Sequence, residues 1–218
     1  MRKTHSLAAA TVAALCLSGA AQAGEVYTGV GTHGLMLGYA QPVAPHVTVR
    51  ADYASFGQRN RRETEEGLDY DTKLTYNRIG LFTDTFPFAP GGFRFTVGVT
   101  FNNMKADMVS QGNGSTVNIG GGTYTLTSDD RLNVKIEFPK TTPYLGIGYG
   151  HQLSSGWGFV FDLGASIGKP KVTETHSGPI LSNPAAQADI DRELAEVRDG
   201  AGKVKAIPLI AIGFNYRF

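Results

Sequence analysis

The chain has 218 residues, with 20 Lys and Arg against 19 Asp and Glu and a single cysteine. That balance gives no electrostatic reason to expect nucleic acid as a partner, and one cysteine excludes a disulfide within the chain. Glycine, at 28 residues, is roughly twice its usual share, while charged residues, at 18%, fall below the usual quarter.

Residues 1–23 read as a cleaved secretory signal peptide, leaving 24–218 as one mature domain. Arg2 and Lys3 make the positive start, residues 7–17 the apolar run, and Ala21-Gln22-Ala23 the small–x–small cleavage pattern. About a dozen apolar residues are too few to stay behind as an anchor. Cys16 lies in this segment behind Leu15, where a lipoprotein site requires a small residue, so the mature chain carries no thiolate or Cys-metal chemistry. Loss of Arg2 and Lys3 leaves 18 basic residues against 19 acids, a net charge of −1. No later apolar stretch reaches ~18 residues, so any crossing of a membrane must be made by strands.

Period-two alternation then marks strands with one apolar and one polar face. Residues 26–40 form a Gly-interrupted segment with Leu35, Leu37 and Tyr39 on one side. Val47, Val49, Ala51 and Tyr53 oppose Thr48, Arg50, Asp52 and Ala54. The segment 68–86 begins with Leu68, Tyr70, Leu74 and Tyr76 on one parity; its phase then flips near Asn77 and Arg78, which we read as a bulge. Phe93, Phe95, Val97, Val99 and Phe101 oppose Arg94, Thr96, Gly98, Thr100 and Asn102. In 131–150, Leu132, Val134, Ile136 and Phe138 share a parity, Pro139 and Pro143 interrupt, and Leu145, Ile147 and Tyr149 resume on the other. Trp157, Phe159, Phe161, Leu163, Ala165 and Ile167 oppose Gly158, Val160, Asp162, Gly164, Ser166 and Gly168. Ile210, Ile212, Phe214, Tyr216 and Phe218 close the chain.

The connections alternate. Segments 41–45, 87–91 and 151–156 are tight, whereas 57–67, 109–130 and 169–203 are long and polar. Transmembrane barrels sort their connections this way, with short turns at the periplasmic end and long loops outside. Tyr39, Phe86, Phe88, Phe93, Tyr149, Trp157, Tyr216 and Phe218 crowd the short-turn end, where an interface girdle belongs. The glycines at 112, 114 and 120–122 read as turns, with a hairpin of 116–119 and 123–127. One helix is expected over 184–198, capped by Asn183, opened by Pro184 and ended by Gly200, with Ile190, Leu194 and Val197 on one face.

The expectation is an all-β chain: an antiparallel transmembrane β-barrel of eight strands with one short helix in the last extracellular loop. Only seven segments are evident, and bacterial barrels use even numbers. The eighth strand hides in a hairpin within 24–34 or in two strands merged around Pro139. A soluble secreted β-sandwich is the alternative fold.

The terminal Phe214-Asn215-Tyr216-Arg217-Phe218 strand, the signal segment, the run 143–150 and Gly156-Trp157-Gly158 together resemble the small barrels of the OmpA/OmpX-like superfamily. The resemblance covers the mature chain at the level of pattern. It implies a Gram-negative cell outer membrane as location, with outer-membrane lipid and lipopolysaccharide as surroundings. It also implies that Phe214, Tyr216 and Phe218 are the signal read by the barrel-assembly machinery. Function varies within such barrels and is not carried over.

With the apolar faces toward lipid, Arg50, Asp52, Arg94 and Asp162 point into the lumen, and Arg78 and Asp84 join them given the bulge. Buried charges pair or face water, so these six are expected to form a salt-bridged network, either a plug or a polar path. Glu174, His176 and Ser177 sit together in an expected outer loop and bring the residue types used in acyl chemistry on lipid A. Neighbouring His and Ser side chains point opposite ways in an extended chain, a poor geometry for a base and its nucleophile. His33, His46 and His151 are scattered singly and support no metal site. Arg59, Arg61 and Arg62, followed by Glu63, Glu65 and Glu66, form a charged outer loop that either grips lipopolysaccharide phosphates or is simply solvated. The reading is therefore a non-enzymatic, cofactor-free outer-membrane barrel with a structural or surface-interaction role and a largely closed polar lumen. A narrow pore for small solutes is the alternative, and a lipid A-modifying enzyme the third reading.

Overall fold

The computed structural model describes residues 24–65, 68–88, 91–151 and 155–218. The expected signal peptide, including Cys16, lies outside the described residues. In chain order the elements are β1 (Glu25–Gly31), β2 (Gly34–Ala44), β3 (Val47–Glu65), β4 (Leu68–Thr85), β5 (Phe93–Gln111), β6 (Thr116–Ile119), β7 (Gly122–Thr125), β8 (Arg131–Glu137), β9 (Thr141–Tyr149), β10 (Gly156–Ile167), β11 (Lys171–Ser177), α1 (Pro184–Lys203) and β12 (Ala206–Arg217).

Eight strands close a ring in the order β1, β2, β3, β4, β5, β9, β10, β12 and back to β1, every pair antiparallel. The eighth strand is β1: the segment 26–40 is two strands, folded at Thr32 and His33. Pro139 does interrupt 131–150, but β8 and β9 lie along the same neighbour. Lys105 pairs with Glu137 and Phe101 with Thr141, so the register across Pro139 does not slip. A circuit of the ring from Glu25 passes Ala40, Arg50, Phe82, Gly98, Tyr144, Ser166 and Ile207, and regains β1 ten residues beyond its start. Ten residues of rise over eight strands set ~4.8 Å apart correspond to a strand tilt of about 40°, within the usual barrel range.

The barrel wall is uneven in height. The β1–β2 hairpin ends at the level where the outward apolar side chains stop, but β3, β4 and β5 continue past it, and β8 and β11 extend the wall beside them. The segment 57–67, expected as a long loop, is therefore mostly strand: Arg59, Arg61 and Arg62 lie in a β3–β4 ladder that runs to the pairing of Glu65 with Leu68. Backbone groups past the membrane still need partners, and neighbouring strands supply them more cheaply than a loop would.

The phase flip near Asn77 has a different cause from the one expected. β4 pairs with β5 without a shift from Tyr70 to Thr85, and the bulge sits on β3 instead, between Ser55 and Gly57. From Tyr76 to the end of β4 the even-numbered side chains point inward, and Tyr76, Arg78, Phe82 and Asp84 are all buried. What changes is the medium. Below Tyr76 the outward residues Ile79 and Leu81 are exposed on the lipid side, and the inward ones are the charged Arg78 and Asp84 with Phe82 between them. Above it the inward face of the neighbouring β5 and β8 is apolar, with Met108, Leu132 and Val134 lining the space under α1. The parity switch of 131–150 is the same event, since Ile136 faces in above Pro139 and Leu145 faces out below it.

At the short-turn end Trp157 packs against Tyr216 at 5.2 Å, Tyr216 against Phe218 at 6.2 Å, and Phe88 against Phe93 at 6.2 Å. Phe86, expected in this girdle, is a correction: it continues the inward parity of β4 and is buried. At the long-loop end the β6–β7 hairpin and α1 fold onto the extended sheet around Val117, Ile119, Leu126, Val172, Leu181, Ile190 and Leu194. Asn183 caps α1 by accepting from Ala185 N–H. The helix passes Gly200 and ends at Lys203, because Ala201 continues the 190, 194, 197 stripe into the same core. No helix among the described residues is long and apolar enough to cross a membrane.

Candidate functional site

The six charges named from the sequence all lie inside the barrel and are all buried. Arg50 on β3 reaches two aspartates: its Nε and Nη2 donate to Asp84 on β4, and Nη2 also donates to Asp162 on β10 at 3.2 Å. Arg94 on β5 meets the same two carboxylates from the other side, its Nη1 lying 3.3 Å from Asp84 Oδ1 and 3.0 Å from Asp162 Oδ1. Thr96 donates to Asp84 at 2.6 Å. Arg78 and Asp52 form a second pair at 2.8 Å, and Tyr27 joins the two groups, donating to Asp52 and accepting from Arg50. Phe82 lies between them, with the Arg50 and Arg78 guanidinium carbons 5.1 and 5.5 Å from its ring centroid.

Three guanidinium groups therefore face three carboxylates, and the set is neutral. Glycines on the inward parity make room for its flat side chains. A Cβ on Gly148 would collide with the Arg94 guanidinium, and one on Gly38 with the Tyr27 ring. The space left between His33, Arg50, Asp52, Arg78 and Asp162 is about 10 Å³, on the order of one water probe. Toward the short-turn end the lumen is closed further by the buried pair of Glu25 and His151, the latter edge-on to Tyr27 at 4.6 Å. Toward the long-loop end Thr100, Asn102, Thr142 and Ser166 form a hydrogen-bonded layer, topped by the apolar cluster of Tyr76, Met104 and Phe138. The sequence offered no sign of the Glu25–His151 pair, whose partners lie 126 residues apart.

Above the rim lies a cavity of about 240 Å³ between the extended sheet and α1. The apolar stripe of the helix signalled that α1 touches something, and Ile190, Leu194 and Val197 line this cavity. Glu174 and His176 are on β11, which pairs residue for residue with β8, and so are not in a loop as expected. Full ladder pairing from Lys171 to Ser177 explains the difference. His176 Nδ1 lies 2.7 Å from Glu174 Oε1, and Ser177, next along the strand, points to the other face. Nearby, Asp130 ties two loops together by accepting from Thr127 N–H and Oγ1 and from the N–H groups of Ile180 and Leu181, at 2.7 to 3.1 Å. Burial pushes the Asp130 carboxyl up, but the Thr127 hydroxyl and these N–H donors outweigh it and hold the carboxyl below its usual range. Among the described residues no group of three His, Cys, Asp or Glu is placed to hold a metal ion.

An apolar exterior, a charged interior and short turns at one end define an eight-stranded transmembrane β-barrel. No protein-family model matches the chain, and no curated protein matches it. Among solved structures it is similar to CarO of Acinetobacter baumannii, with 20% identity and a TM-score of 0.58 over 89% of this chain and 97% of that one. It is likewise similar to CarO2 of the same organism, at 20% identity and a TM-score of 0.58 over 91% of this chain and 100% of the other. At that identity the likeness supports the barrel fold.

Proposed function

We propose that the chain is an integral outer-membrane β-barrel whose lumen is shut and whose role, structural or in surface interaction, is carried by the folded half at the long-loop end. The observation that carries this is the lumen itself. Three arginines and three aspartates neutralise one another across it and leave about 10 Å³ between them. A polar path for solutes needs charges that face water, whereas here Asp84 and Asp162 Oδ1 each accept from both Arg50 and Arg94.

In this reading residues 1–23 direct export, and Phe214, Tyr216 and Phe218 are offered to the barrel-assembly machinery. The belt of exposed Leu, Ile, Val and Phe side chains faces outer-membrane lipid, with lipopolysaccharide around the taller strands. The reading excludes acyl chemistry at His176, because its neighbour Ser177 faces away across the strand.

Planar-bilayer conductance of protein shown to be folded by heat-modifiable gel mobility tests the proposal. Silence is expected. Discrete ion-selective steps that shift on Arg94→Ala would replace it with the narrow pore.

A further inference from the structure

The cavity above the rim has a built floor and a built roof. Its floor is one hydrogen-bonded line across four strands, where Thr72, Met108, Val134 and Glu174 pair in succession on the inward face. Its roof is the 190, 194, 197 face of α1, and Ile119 and Leu132 complete the apolar walls. An apolar cavity of ~150 Å³ already takes benzene, so 240 Å³ has room for a two-ring body.

The charge in this cavity has one sign. Glu174 and Glu193 line it, and no Lys or Arg does. The Glu174 side chain is only 10% exposed. Its Oε1 is met by His176, while Glu193 Oε2 accepts from Gly120 N–H at 3.1 Å. The second oxygen of each carboxylate has no partner among the described residues; Glu193 is exposed on α1, and the free Glu174 oxygen is within reach of solvent. A largely buried carboxylate beside an apolar space is best satisfied by a cation that enters with its own apolar body.

We propose that this cavity is a binding site for a small amphipathic amine, its apolar body under α1 and its ammonium group between Glu174 and Glu193. The site lies outside the membrane-spanning ring, so it stands or falls independently of whether the lumen conducts.

Calorimetric titration of the folded protein in lipid nanodiscs tests it, with tryptamine as probe and tryptophol and indole-3-propionate as its neutral and anionic counterparts. Saturable binding of tryptamine is expected, at least ten-fold tighter than tryptophol, with no binding of the propionate. Leu194→Trp, which fills the cavity, abolishes binding while heat-modifiable mobility shows the barrel intact. Glu174→Gln with Glu193→Gln keeps the shape and removes the preference for amine over alcohol. The proposal is overturned if tryptamine does not saturate, if Leu194→Trp binds as the parent does, or if amine and alcohol bind equally.

Discussion

Along β5 the same backbone serves two opposite environments. In its lower part Phe95, Val97 and Phe101 face outward and are exposed, while Arg94, Thr96 and Thr100 face inward and are buried. Seven residues beyond Phe101, Met108 faces inward against the cavity under α1, on the parity that Arg94 had. The β8–β9 pair and the β10–β11 pair make the same exchange at the same level. The lower half is thus a protein turned inside out by lipid, and the upper half is an ordinary globular domain with its core between sheet and helix. One strand spans both because hydrogen bonding along the ladder is indifferent to the medium, and only side-chain polarity has to change.

The two halves are also held together differently. The lower one relies on charges that must be matched, since a guanidinium group or carboxylate left alone there has no water to turn to. The upper one relies on apolar packing and on loop ties such as Asp130.

The largest effect that would break this contrast is in the lumen. Arg94→Ala strands Asp84 and Asp162 with one guanidinium between them and is expected to cost about 3–5 kcal/mol, measured by urea unfolding in lipid vesicles. A cost near zero would mean that the network is not the lower core. Next, paired substitutions on the outward parity of β10 and β11 test the change of medium. Leu163→Arg, on the lipid side, is expected to destabilise by about 2–4 kcal/mol, and Thr175→Arg, on the exposed face above the rim, by less than about 0.5 kcal/mol. Equal costs at both sites would place the boundary elsewhere.

Leu181→Ala, in the fully buried part of the upper core, is expected to cost about 2–3 kcal/mol. Its sign is local: faster proteolysis within 112–130 and 178–204, with gel mobility of the barrel unchanged. The smallest effect is acid loosening of the upper half. Because the Asp130 carboxyl is held below its ordinary value, its contribution is present above the unfolded-state pKa, about 3.9, and is lost as pH falls through the lower folded value. Hydrogen exchange of the Ile180 and Leu181 amides should therefore rise below about pH 4. Asp130→Asn should remove that pH step and cost about 1 kcal/mol.

How much of this was legible in the sequence differs by element. The strands β3, β5, β10 and β12 declared themselves because alternation is a property of the pleat and needs no partner to be seen. The inward charges followed from the same parity. In β4 the parity reading went astray, since a change of environment and a bulge leave the same mark on a one-dimensional pattern. Residues 57–67 and 171–177 were taken for loops because polar residues in a tall, water-exposed strand look like loop composition. Phe86 was assigned to the girdle by its neighbourhood, and the inward parity of β4 decided otherwise.

By itself the sequence determined the alternation, the short turns of one end, the helix start at Asn183 and the list of charges that cannot face lipid. Tertiary structure alone decided how the ring closes, that Arg50 meets Asp162 across 112 residues, and that α1 comes down over β8 and β11 to enclose a cavity with two glutamates. The reason is one of range. Alternation and capping are settled within a few residues of chain. Pairing across a lumen, or between a loop helix and a sheet, depends on strand number, tilt and register, which exist only once the ring has closed.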